Sequence, residues 1–295
     1  MLAAIEELGY RPNPMAQSLA GSGTHTIGMI VPNIQNSFFA ELALEVEEEA
    51  SKQGRLVFLG NSAESADRES AYVQSFIRHR VDGMVFIGVS KRASLQPAVD
   101  AGIPLVVVDR PNPVALIRSV SIDHAAAAEL ATAHLIGHGH TRIACLTGLE
   151  STFVSDERLD GFARAMAASD LEPSAIMRYP YSFEGGRDAW TELKRVASDT
   201  KALFCASDDQ ARGVIAAAIY DGVDVPGDLA VTSIDGTTQG SVLRPTLTSV
   251  RQPSKVIAQA ALRRLFADEQ AELHWAVPGD LTIGQSCGCP ADQDE

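Results

Sequence analysis

Short apolar, β-rich runs alternate along the chain with longer stretches whose hydrophobic positions recur at a helical period. The short runs predict strands near 27–31, 56–59, 84–87, 105–108 and 120–122, and the amphipathic stretches predict helices near 38–53, 67–80 and 93–101. A helix near 124–137 leads into the same pattern again, with strands near 143–147, 176–179, 203–205 and 229–234 and helices near 156–169, 184–197 and 209–221. The helix near 38–53 shows the logic. Leu42, Val46 and Ala50 fall on one face, while the acidic run Glu47 to Glu49 suits water. Strands alternating with helices imply a parallel sheet covered on both faces. The doubled pattern implies an α/β chain of two doubly wound lobes, repeated in architecture rather than in sequence.

The stretch before the first strand reads differently. Asn13 suits an N-cap and Pro14 a first helical turn, while Gly21 and Gly23 stop the helix that Pro14 to Leu19 can form. A helix shorter than roughly a dozen residues is marginal alone and orders when something packs on it. This segment, with the strand that follows, resembles the hinge and first strand of the LacI/GalR family of bacterial transcriptional regulators. Ala16, Gln17, Ser18 and Leu19 fall on the family's hinge positions. The resemblance makes Asn13, Ala16, Gln17 and Leu19 the DNA-binding hinge, with Leu19 wedging between base pairs in the minor groove. An ordinary domain-entry helix with Leu19 packed on its own body is the alternative.

The resemblance runs from Leu2 to about Cys287. Its later segments are Val81-Asp82-Gly83, Asp109-Arg110, HLIGHGHTRIACLTG at 134–148, ERLDGF at 157–162 and LRPTLTSVRQP at 243–253. It implies a periplasmic-binding-protein-like core. Residues 1–23 are then a headpiece remnant plus hinge, and 24–295 an effector-binding and dimerisation core. The first lobe covers about 24–139 and 252–278, and the second about 140–251 and 279–290. Family members carry a helix-turn-helix before the hinge. Here Met1 to Leu8 looks like its last helix, with Leu2, Ile5 and Leu8 at helical spacing, so the expected reading is a truncated start.

Charge fits a sensor better than a DNA-coating surface. The 295 residues carry a net charge of −14, opposite to what a broad phosphate-binding face requires. Arg11 is the clearest basic residue near the N-terminus, and Ala20 stands where many relatives have a basic residue. The sequence has no apolar run of membrane-spanning length and no export signal, so the expected location is cytoplasmic, with no membrane partner. Cys145 and Cys205 lie in apolar runs, while Cys287 and Cys289 form a lone C-x-C without a second pair. His134, His138 and His140 have a spacing that could suggest a metal, but they match the family's helix-exit pattern and include no cysteine or carboxylate partner. No metal and no cofactor are expected.

The resemblance also implies the ligand site. Open α/β sheets bind at the carboxyl ends of their strands, so two facing edges surround a small molecule. Phe38 and Phe39 follow the first strand and offer aromatic faces. Arg158 matches a ligand-binding arginine and Asp235 an acceptor carboxylate. Tyr181 stands where relatives have a stacking aromatic, and Arg110 and Gln252 complete the ring. Ser207-Asp208 replaces the Asn-Asp of many relatives, leaving room or a water. The set suits a polyol or sugar, although relatives on this frame also bind purines. The expected function is ligand-responsive transcription regulation by a homodimer on operator DNA. A transport-system sugar receptor and a headless sensor are the alternatives. No nucleophile, base and orienter set marks an enzyme.

Overall fold

The computed structural model describes residues 23–89, 92–110, 117–150, 153–266 and 272–289. The expected hinge residues Asn13, Ala16, Gln17 and Leu19 lie outside the described residues. The first half runs β1 (Thr26–Val31), α1 (Ser37–Lys52), β2 (Leu56–Asn61), α2 (Ala66–Arg78) and β3 (Gly83–Ile87), then α3 (Gln96–Asp100), β4 (Leu105–Val108) and β5 (Arg118–Ile122). Next come α4 (His124–Gly137), β6 (Ile143–Thr147), α5 (Phe153–Ala168), β7 (Ile176–Arg178), α6 (Phe183–Val196) and β8 (Ala202–Cys205). The chain ends with α7 (Asp208–Tyr220), β9 (Ala230–Asp235), α8 (Thr238–Ser241), β10 (Thr248–Arg251), α9 (Ser254–Leu265), β11 (His274–Val277) and β12 (Asp280–Thr282).

These strands form two six-stranded sheets. The first, ordered β11-β5-β4-β3-β1-β2, is wholly parallel. The second, β12-β10-β9-β8-β6-β7, is parallel except for β12, which runs antiparallel to β10. β1, β3, β6, β8 and β9 are buried throughout, as a strand covered on both faces by helices must be, whereas the edge strand β2 is largely exposed. The fold is therefore the expected pair of parallel α/β lobes. Leu42, Val46 and Ala50 of α1 are fully buried, burial of the leucine and of the valine each stabilising by about 1.5–3 kcal/mol.

The chain passes between the sheets at three places: β5 to β6, β10 to α9, and β11 to β12. α9 returns to pack on α1 and on β3, β4 and β5, and β11 joins the first sheet. Periodicity did not assign β10, β11, β12 or α9. The expected boundary also shifts. α4, placed by sequence in the first lobe, packs against α5 and β9 of the second, and its Ala131 carbonyl accepts a hydrogen bond from Thr232 Oγ1.

Proximity overturns the separation of the histidines from the C-x-C pair. His134 Nε2 lies 3.2 Å from Cys287 Sγ and 3.5 Å from Cys289 Sγ, and His138 Nε2 lies 3.1 Å from Cys289 Sγ. A spacing of about 150 residues hid a neighbourhood that the turn after β12 creates.

Candidate ligand-binding cleft

Both sheets present their carboxyl ends to one cleft, where polar residues follow strands directly. Asn36 caps α1, its side chain accepting from Phe39 N, and its Nδ2 donates across the cleft to the Tyr181 carbonyl at 3.3 Å. The cap fixes the entry of α1, whose first turn carries Phe38 and Phe39 with ring centroids 5.7 Å apart. From the second lobe, Tyr181 precedes α6, and Ser207 caps α7 by accepting from Gln210 N. Gly148 leaves the space that Tyr181 fills. A Cβ there would sit 2.6 Å from the phenol ring.

The cleft is narrow and is lined by Asn36, Phe38, Phe39, Asp109, Arg110, Val154, Arg158, Tyr181, Ser207 and Asp235. Of the residues expected from sequence, Phe38, Phe39, Arg110, Arg158, Tyr181, Ser207 and Asp235 come together here. Asp208 and Gln252 stand behind the wall. Asp208 directs its carboxylate inward, accepting from Ser233 Oγ and Ser249 Oγ at 2.6 Å and from Thr237 N and Oγ1 at 2.7 and 2.8 Å. Gln252 Nε2 donates to Asp235 Oδ1 at 2.9 Å, so it orients a lining residue.

Arg158 organises the cleft floor. Its Nη1 donates to the Ala206 carbonyl, its Nε and Nη2 reach His124 Nδ1 at 3.4 and 3.2 Å, and Nη2 lies 3.7 Å from Asp235 Oδ1. The guanidinium also sits 5.5 Å from the centre of the Tyr181 ring, within cation–π range. Because a guanidinium only donates, His124 Nδ1 is the acceptor and its proton resides on Nε2, which donates to the Asp109 carbonyl at 2.7 Å. Burial, reinforced by Arg158, holds the His124 imidazole well below its usual range, so it stays neutral.

Burial pushes the carboxyls of Asp109, Asp208 and Asp235 up, that of Asp235 well above the usual range, while Arg158 pulls Asp109 and Asp235 back down. Asp109 has φ +71° and Asp235 φ +126°, conformations that non-glycine residues rarely adopt. Such strain persists where surrounding structure over-determines it and clusters at ligand clamps. Asp109 Oδ1 and Arg110 Nε are buried without a hydrogen-bond partner among the described residues. Both atoms belong to residues that line the cleft beside its aromatic rings. Sequence reasoning missed Asn36, Asp109 and Val154 as lining residues, and His124 behind them. For Asn36 the cap position before a helix was a usable signal.

The same core recurs in known proteins. Residues 132–287 match the family model described as a periplasmic binding protein-like domain. Catabolite control protein A of Priestia megaterium is 35% identical over 269 residues, covering 90% of this chain and 81% of that protein. The transcriptional repressor CytR of Escherichia coli K12 is 30% identical over 273 residues, covering 91% and 80%. The solved complex of the transcriptional regulator CelR with cellobiose superposes with a TM-score of 0.80 at 26% identity, over 96% of this chain and 88% of that one. With a two-lobed core and regulators of known type as relatives along nearly its whole length, the chain belongs to the LacI/GalR family of transcriptional regulators.

Proposed function

We propose that this chain is a sugar-responsive regulator whose cleft takes a small polyhydroxylated ring. The unused Asp109 Oδ1 and Arg110 Nε, set beside the Phe38–Phe39 pair and Tyr181, carry this reading. Hydroxyl groups both donate and accept, so one ring satisfies both atoms while its apolar face lies on an aromatic. Asp235 is the second acceptor and Arg158 the fixed donor. CelR bound to cellobiose supports a sugar as the ligand class.

The bound ring favours one lobe arrangement, and a homodimer converts that arrangement into the spacing of its paired hinge segments on operator DNA. Asn13, Ala16 and Gln17 position the hinge, and Leu19 is the minor-groove wedge. Calorimetric titration with a panel of monosaccharides, disaccharides and nucleosides tests the cleft. Saturable binding of a sugar, weakened roughly tenfold or more in Arg158→Lys and Tyr181→Ala, is expected. Binding of nucleosides alone rejects the sugar. Leu19→Ala in a regulator with its DNA-reading headpiece should cost operator affinity about tenfold or more, since unstacking a base step is worth a few kcal/mol. Unchanged affinity rejects the wedge.

A further inference from the structure

We propose that His134, His138, Cys287 and Cys289 form a tetrahedral site for a thiolate-preferring divalent metal ion, of which zinc(II) is the best chemical match. The residues come from two distant places. His134 and His138 are one helical turn apart at the end of α4, with ring centroids 4.7 Å apart. Cys287 and Cys289 lie in the turn after β12, and all are thiols, not disulfides. The ligand atoms of His134, Cys287 and Cys289 lie within 4.8 Å of one another, and His138, beside them at the solvent edge with Nε2 3.1 Å from Cys289 Sγ, is the fourth ligand that would turn in when an ion binds.

The convergence has the dimensions of a coordination shell. His134 Nε2 is close to both sulfurs, at 3.2 and 3.5 Å, and the Cys287 thiol also donates to the Gly284 carbonyl at 3.7 Å. Tetrahedral zinc with bonds of about 2.05 Å to nitrogen and 2.3 Å to sulfur places those ligand atoms about 3.6 Å apart. The observed nitrogen–sulfur separations of 3.1–3.5 Å are that edge, slightly contracted. Two imidazoles and two thiolates also form a donor set that selects zinc over harder cations.

The surroundings suit an ion. Thr248 Oγ1 donates to Cys287 Sγ at 3.0 Å while accepting from Gly284 N at 2.9 Å. A hydroxyl aimed at the sulfur stabilises a thiolate and fixes its direction, as an outer-shell partner does. Cys287 is buried and His138 is exposed, so the ion has a rigid inner wall and an entry from solvent. Binding forms two metal–sulfur and two metal–nitrogen bonds, releases the two thiol protons to solvent and involves no oxidant. The ion ties the chain end to α4 within the second lobe, away from the cleft.

The test uses the full chain, stripped of metal under reducing conditions and titrated with cobalt(II). One equivalent should bind with the intense visible spectrum of tetrahedral cobalt and a thiolate-to-metal charge-transfer band, and zinc(II) should displace it. Cys289→Ser should remove about half of the charge-transfer intensity, because one of two thiolates is lost. His138→Ala, at an exposed helix end, should weaken binding by more than the roughly 10–100-fold that loss of an outer partner causes. Far-ultraviolet circular dichroism checks that both variants fold. A weak octahedral spectrum in the wild type, or spectrum and affinity unchanged in both variants, overturns the site in favour of a thiol–imidazole hydrogen-bond cluster.

Discussion

Arg158 shows how one buried charge sets the chemistry around it. Its guanidinium is 4% exposed and is shared among a carbonyl, an imidazole, a carboxylate and an aromatic face. The neutral His124 that it fixes has a consequence for stability. The folded-state pKa lies below the unfolded value of 6.5, so the unfolded chain binds more protons as pH falls below 6.5. The contribution of His124 is therefore present above that pH and lost below it, by at most about 1.4 kcal/mol per pH unit. The raised carboxyls of Asp109, Asp208 and Asp235 act in the opposite sense, losing stability as pH rises. Comparing wild type with His124→Asn isolates the histidine. The stability difference between them, from urea unfolding, should shrink by about 1 kcal/mol or more between about pH 7 and pH 5; a constant difference rejects the neutral assignment. Arg158 was legible from its motif because its role follows from side-chain type. His124 and Asp109 were not, because theirs depends on a buried tautomer and a positive φ.

At the level of elements, α6 and α7 cross with glycine against glycine. A Cβ on Gly213 would sit 2.0 Å from the Phe183 carbonyl oxygen, and one on Gly186 2.1 Å from that of Gln210. Alanine raises helix propensity by about 1 kcal/mol, but overpacking against rigid backbone costs about 1–3 kcal/mol. Gly213→Ala should lose a net 1 kcal/mol or so, read as a lower urea midpoint at unchanged slope, and a stabilised variant would show that the helices separate without strain. Regular elements with strong periodicity were readable within a few residues: α1, expected over 38–53, spans Ser37–Lys52. β11 and β12 were not, because they are short and half-exposed and carry no alternation to detect. Their partners, β5 and β10, supply the hydrogen bonds that local sequence does not announce.

Across the whole molecule, the lobes meet through a small polar latch. Asp209, at the start of α7, accepts from Ser37 N at 3.1 Å and Ser37 Oγ at 2.8 Å at the start of α1. Its carboxylate thus lies between two helix N-termini, the favourable place for negative charge. Arg212 Nη1 donates to both Ser37 Oγ and Asp209 Oδ1, and Thr238 N donates to Glu41 Oε1 at 2.8 Å. Asp209→Ala should open the unliganded protein, visible as a larger radius of gyration in solution scattering. It should also weaken ligand binding roughly tenfold through a smaller closed fraction. An unchanged radius and affinity would mean that packing alone sets the lobe angle. Among the described residues, no helix is long and apolar enough to cross a membrane.

The three passages between lobes also govern how the protein is made. The first lobe lacks α9 and β11 until residue 277 has been synthesised, and the second lacks β12 until residue 282. A nascent chain emerging from the ribosome therefore has two unfinished sheets and no complete unit to fold early. The usual order, in which an N-terminal domain closes before its successor appears, does not apply. Both lobes finish within a few residues of each other, and until then the apolar edge of β5 waits for a strand encoded about 150 residues later.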